Sequence, residues 1–279
     1  MPTIVIMLAV TIYPFLFSLY LSFHKWDLSA GMAAPIEFVG FRNYLSVLTD
    51  PTFWKIMQNT VFFVTVAVGL EFSIGLGLAL LLDRDMPGIR VYRLLCALPV
   101  MMTPILMGIL WTYMYKEDFG IINYFLSLVG VGKVAWQGDP TIAMFACIIV
   151  DVWQWTPFMM LVILAGLKSL PAAPFEAASI DGANRWQIFR KLTLPFLKPV
   201  IAVSLAIRIM DAFRVFDVIW QLTQGGPGQA TETIAIYIYR QSFRYFHMGL
   251  GAAASYIALI IVAIVCTTII RSLHEVIEI

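Results

Sequence analysis

The sequence predicts an all-α, polytopic membrane protein with six transmembrane helices and one cytoplasmic helix–Gly–helix loop. Three observations lead there. Of the 279 residues, 61% are hydrophobic and 13% charged, about half the charged share of a soluble domain. Windows at about 3–23, 57–82, 92–115, 141–167, 197–220 and 247–270 are each apolar over the roughly 20 residues a spanning helix needs. A more polar stretch, Pro174 to Pro199, parts the fourth window from the fifth and is punctuated as two helices about a glycine. No internal repeat or low-complexity linker divides the chain. Residues 1–279 therefore read as one transmembrane domain, with 169–196 as the loop inside it.

The first window lacks a basic start and a small-residue cleavage site, and more spans follow it, so it reads as a span and not as a signal peptide. Whether a polar extension precedes it is left open. The connections between windows set the orientation. One side carries Arg84, Arg90, Arg93, Lys168, Arg185, Arg190, Lys191, Lys198 and Arg271. The other carries Lys25, Arg42, Lys55, Lys116, Lys133, Arg240 and Arg244 over longer loops. The denser side is assigned to the cytoplasm, together with both termini.

The first external loop, His24 to Ile56, contains Trp26, Phe53 and Trp54, which suit an aromatic belt at the interface. In the second span Gly69, Gly75 and Gly77 let helices approach closely. Glu71 is a carboxylate inside that apolar run. It is either a pathway residue or a paired structural one, because a lipid-facing charge is costly. The third span holds Pro99 and Pro104 and is expected to kink where a neighbour or cavity satisfies the freed carbonyls. Trp111, Tyr113 and Tyr115 after it are interface anchors or a stacking surface for a ring-shaped solute.

The fourth span carries Asp151, Trp153, Gln154, Trp155, Thr156 and Pro157, too polar a cluster for lipid and a candidate passage wall. In the fifth, Arg208, Asp211, Arg214 and Asp217 recur every three residues with alternating sign. They form an ion-pair ladder that fixes packing, a hydrogen-bonding path for a polar solute, or both, with Asp211 and Arg214 nearest the path. Thr223 to Gly228 reads as a turn in the last external loop. The final span, with Gly249, Gly251 and Ala252 to Ala254, is built to pack closely.

In the polar stretch, Pro174 suits a first helical turn and Glu176 meets the positive end of the helix dipole. Asp181-Gly182 reads as a stop, and Asn184 with Gln187 as the start of a second helix, which Pro195 is expected to end. Trp186, Ile188, Phe189 and Leu192 give that helix an apolar side. Residues alone leave two readings: a helix lying on the bilayer or a docking elbow.

Glu176-Ala177-Ala178, three residues, Gly182, nine residues, Leu192, one residue, Leu194-Pro195 resembles the EAA loop of binding-protein-dependent ABC importer permeases. Only Leu192 departs, standing where that pattern has Ile. Gly40-Phe41-Arg42-Asn43-Tyr44 with Asp50 and Phe53-Trp54 is similar to the first external loop of the carbohydrate type. Leu222-Thr223-Gln224-Gly225-Gly226-Pro227 followed by Thr231, Thr233 and Tyr237 resembles the first permease subunit of maltose, trehalose and glycerol-phosphate systems. The resemblance implies a type I permease importing a carbohydrate by alternating access across a bacterial or archaeal cytoplasmic membrane. It implies as partners a second homologous permease, an ATPase dimer holding ATP and Mg, and an extracytoplasmic solute-binding protein. Glu176, Ala177, Ala178, Asp181, Gly182, Leu192, Leu194 and Pro195 would couple to the ATPase, and Glu71, Asp151, Trp153, Gln154, Asp211, Arg214 and Asp217 would line the solute path.

Other classes are weaker. There is no GxxxxGK[ST] phosphate loop, so ATP is not hydrolysed by this chain. Scattered His24, His247 and His274 and the separate Cys96, Cys147 and Cys266 indicate neither metal nor disulfide. A net charge of +1 gives no nucleic-acid surface. An ion-coupled secondary transporter using Glu71, Asp151 or Asp211 is the alternative function. An intramembrane enzyme using Asp151 or Asp211 lacks paired catalytic spacing.

Overall fold

The computed structural model describes residues 2–31, 35–84 and 86–274, and their architecture is a helical bundle. In chain order the helices are α1 (Pro2–Ser22), α2 (Arg42–Thr49), α3 (Pro51–Leu82), α4 (Ile89–Ala97), α5 (Pro104–Met114), α6 (Ile121–Leu128), α7 (Ala143–Lys168), α8 (Ala172–Ile180), α9 (Arg185–Ile188), α10 (Leu194–Phe213), α11 (Asp217–Leu222), α12 (Ile234–Tyr239) and α13 (Met248–His274). The strands β1 (His24–Lys25) and β2 (Glu37–Phe38) form one short antiparallel pair in the first external loop.

Among the described residues, four helical stretches are long and apolar enough to cross a membrane: Pro51–Leu82, Ala143–Lys168, Arg185–Leu222 and Met248–Arg271. A fifth is reached if the bent pair Ile89–Met101 and Pro104–Met114 counts as one span. The expected first span coincides with α1, where the apolar stretch Ile6–Ser22 is shorter than the others.

The second span begins before the expected window. Asp50 accepts a hydrogen bond from the Thr52 N–H at 2.8 Å and caps a helix with Pro51 in its first turn. Phe53 is consequently fully buried in the core and is not a belt residue, whereas the exposed Trp54 donates from Nε1 to the Leu48 carbonyl. Close packing of α3 on α7 centres on Gly75, where an added Cβ would lie 2.7 Å from the Met159 Cβ. Gly69 and Gly77 have no neighbour within 4 Å of an added Cβ among the described residues, so within this chain the close approach is at Gly75.

The third span is broken and not merely kinked. Pro99 opens a short 3-10 turn, Met102 and Thr103 are extended, and Pro104 starts α5 at 94° to the preceding helix. Each proline removes a donor from the helical ladder, and two within six residues end it. Trp111 and Tyr115 are buried, with the Tyr115 hydroxyl donating to the Ala146 carbonyl at 3.2 Å, and only Tyr113 is exposed. The three therefore form no stacking surface for a solute.

Two external segments are fastened by side-chain amides. Asn43 Nδ2 donates to the Ser22 and His24 carbonyls, both at 2.9 Å, holding the first loop to the end of α1. Asn59 Nδ2 donates to the Gln229 carbonyl at 3.0 Å, holding the last loop to α3. In that loop Arg240 pairs with Glu232 and also donates to the Gln224 carbonyl at 2.7 Å. Burial pushes the Glu232 carboxyl up, and Arg240 opposes that.

Candidate functional site

Three helices meet at one buried cation. Arg208 on α10 donates through Nε to Glu71 Oε2 at 2.7 Å and through Nη2 to Glu71 Oε1 at 3.0 Å, a bidentate pair with α3. The same Nη2 donates to Asp151 on α7, and Nη1 donates to Asp211 one turn along α10 at 3.1 Å. Trp155, one turn after Asp151, lies with its ring centre 4.9 Å from the guanidinium carbon. Arg208, Glu71 and Asp151 are each 0–1% exposed. Arg208 is tolerable so far from water because carboxylates surround it, and Glu71 and Asp151 share its one positive charge.

The knot divides the expected path residues. Glu71 is sealed inside it, and Asp151, although paired and 1% exposed, reaches the edge of a small cavity. Asp211, with a 41% exposed side chain, lies at its rim and also faces Arg214 at 3.5 Å, which is 78% exposed. Asp217 takes no ion-pair partner from the ladder. A break at Arg214–Phe216 separates it from α10, and it sits in the first turn of α11, where a carboxylate suits the dipole. Trp153 points away from the knot and packs edge-on against Trp111 at 5.8 Å. Gln154 acts at the other break, donating from Nε2 to the Met102 carbonyl at 3.0 Å. Arg208, read in the ladder, and Trp155, read in the cluster of the fourth span, were not assigned to the path, yet both stand at the centre of the knot.

The two helix breaks meet beside the knot. Pro104, Asp151, Trp155, Arg208, Asp211, Arg214 and Asp217 line one cavity of ≈ 100 Å³. It adjoins a groove of ≈ 820 Å³ with Arg208, Asp211 and Arg214 at one part and apolar walls from α10, α12 and α13. Among the described residues no group of His, Cys, Asp and Glu is arranged to hold a metal ion, and the His274 side chain lies outside the described residues.

At the opposite end of α7 lies the elbow. Helix α8 begins at Ala172 behind Pro171, so Pro174 is third in the helix and Glu176 sits in its second turn, not its first. Gly182 has φ +78°, the left-handed conformation expected of the stop. Asn184 Oδ1 accepts from the Gln187 N–H at 2.9 Å and Gln187 Oε1 accepts from the Asn184 N–H at 2.8 Å, a complete capping box. Pro195 does not end the second helix. A π turn over Phe189–Thr193, closed by the Leu194 N–H on the Phe189 carbonyl, carries the chain past it into α10. The expected apolar side is split: Ile188, Phe189 and Leu192 are half-buried, while Trp186 is 66% and Ile180 85% exposed. Glu176, Ala177, Asp181 and Gly182 are exposed, Ala178 and Leu194 half-buried. Behind the elbow Lys168 pairs with Asp83 at 2.9 Å and ties α7 to the end of α3.

Comparison with known sequences decides the family. The profile of the binding-protein-dependent transport system inner membrane component matches residues 1–278. The chain belongs to this family. The permease is 40% identical over 265 residues to the trehalose/maltose transport system permease protein MalF of Thermococcus litoralis, covering 94% of this chain and 88% of that protein. It is 40% identical over 275 residues to the probable ABC transporter permease protein y4oQ of Sinorhizobium fredii, covering 99% and 88%. A bacterial ABC transporter involved in the import of the acidic polysaccharide alginate has the same fold, with TM-score 0.84 at 23% identity over 99% of this chain and 93% of that one. The permease is thus a multi-pass inner-membrane component of an ABC importer, and ATP hydrolysis belongs to a separate subunit. The ion-coupled alternative finds no support, and all three of its candidate carboxylates are paired with Arg208.

Proposed function

We propose that the permease carries a carbohydrate through the groove beside Arg208 and that the elbow at 169–196 docks on the ATPase. The observation that carries the docking is the combination of stiffness and exposure at the elbow. A glycine stop ends α8 and a complete capping box starts α9, which fixes the turn between the two helices, yet Trp186 and Ile180 are left uncovered. A cleft of ≈ 780 Å³ runs alongside, lined by Asp83, Leu170, Phe175, Glu176 and Ile180 among others.

The substrate class is supported by the relative named for trehalose and maltose and by the chemistry of the groove. Trp155, Phe216 and Tyr239 offer aromatic faces, and Asp211 and Arg214 offer exposed hydrogen-bonding groups. Sugars present both apolar ring faces and hydroxyls, so they suit such a wall. One homologous permease would close the open side of the groove, and a solute-binding protein would deliver sugar from outside. In this reading ATP and Mg close the ATPase dimer, the two elbows approach, and the passage turns outward. The test is to purify the assembled importer and identify retained solute by mass spectrometry. A mono- or oligosaccharide is expected; an amino acid, peptide or inorganic ion in its place would overturn the sugar assignment.

A further inference from the structure

The segment between α5 and α7 folds inside out. Helix α6 and the residues flanking it turn Phe119, Ile121, Tyr124, Phe125, Leu128 and Val129 outward, each between 49% and 74% exposed. Its buried side holds the polar group. Asn123 is 5% exposed, donates to the Val134 carbonyl at 3.0 Å, and accepts from the Val134 N–H at 3.2 Å and Trp136 Nε1 at 3.0 Å. The Ser127 hydroxyl on the outer side is also satisfied internally, donating to the Tyr124 carbonyl at 2.7 Å. A surface helix in water shows the reverse pattern.

The charges of this segment are gathered at one end. Lys116, Glu117 and Asp118 stand just before the apolar stretch and Lys133 just after it, with Lys133 joined to Asp118 at 3.2 Å. The base is rigid: Tyr115 stacks on Trp136 with centroids 5.0 Å apart and bonds Ala146 at the start of α7. The hairpin thus has a charged, anchored base and an apolar tip, at the end of α7 remote from the elbow.

From this we propose that α6 is a lipid-inserted paddle, its outer face bathed by acyl chains of the leaflet opposite the elbow. A protein-docking surface carries a polar rim around its apolar centre. Here polarity is sorted along the hairpin instead, as a bilayer interface sorts it, with Tyr124 offering a hydroxyl at headgroup level. The paddle keeps the outer ends of α5 and α7 at fixed depth while the elbow end moves.

The test is the depth of single nitroxide labels in the permease reconstituted in liposomes with its co-purifying subunits. Cys96, Cys147 and Cys266 are first replaced by Ala. Leu128→Cys and Phe125→Cys report on the tip, and Glu117→Cys on the base. The expected result is strong relaxation of both tip labels by oxygen and little by a water-soluble nickel chelate, with the ratio several-fold above that at position 117. Nickel access at the tip equal to that at the base would place it in water. Low access to both reagents would place it against a protein subunit. Either outcome overturns the proposal.

Discussion

Arg208 is the residue on which the interior depends. Removing it leaves Glu71 and Asp151 buried without a counter-charge, and breaking a buried pair this way costs about 3–5 kcal/mol. Arg208→Met is therefore expected to lower the thermal stability of the purified permease sharply. The triple variant Arg208→Met, Glu71→Gln, Asp151→Asn is expected to regain much of that loss, because no buried charge is orphaned. A triple variant as unstable as the single one would contradict this reading of the knot. The sequence shows the charges of α10 and their spacing of three, but not their partners. Glu71 and Asp151 lie 137 and 57 residues away from Arg208, and helical spacing speaks only of neighbours on one helix. At Gly182 the constraint is backbone conformation alone, since nothing lies within 4 Å of an added Cβ. Gly182→Val is expected to uncouple ATP hydrolysis from uptake and Gly182→Asn to retain coupling, because Asn tolerates the left-handed region and Val does not. Equal uptake-to-hydrolysis ratios for both variants would sink that assignment.

At the scale of elements, two helix breaks shape the cavity beside the knot. The Pro99–Pro104 break was legible as a disturbance, but its 94° angle was not. Proline states that the ladder stops; the packing of α5 on α7 and α11 decides where the chain goes next. Gln154 fastens one edge of the break by its bond to the Met102 carbonyl. Gln154→Leu is expected to reduce transport several-fold while the chain still inserts, measured as uptake in proteoliposomes at matched protein content. Unchanged uptake would show that the fastening is dispensable. The α3–α7 seam makes a second contrast. Gly75→Leu must push into Met159 at 2.7 Å, and overpacking costs about 1–3 kcal/mol. Gly69→Leu enters open space and is expected to leave the melting temperature close to that of the unsubstituted protein. Small residues mark where helices are able to approach; only the tertiary arrangement shows which of them do. Pro195 was misleading for a similar reason: a π turn absorbed the missing donor, an adjustment that residue identity does not reveal.

Across the whole molecule, the continuation past Pro195 turns the elbow and α10 into one helical rod from Arg185 to Phe213. Trp186 and Arg208 are 22 residues apart on it, or roughly 33 Å at 1.5 Å per residue. If the elbow docks as proposed, a push there would be delivered along this rod to the knot that binds α3, α7 and α10, next to the groove. The composition was enough to read the class in advance, and Gly182 with Asn184 and Gln187 enough to read the helix–Gly–helix form of the elbow, since both are local properties of the chain. The rod was not, because it depends on a helix running through a proline. The direct test is photo-cross-linking from a benzophenone side chain placed at Trp186 in the assembled importer. The account predicts a covalent product containing this chain and the ATPase subunit. Products with lipid alone, and none with the ATPase, would contradict it.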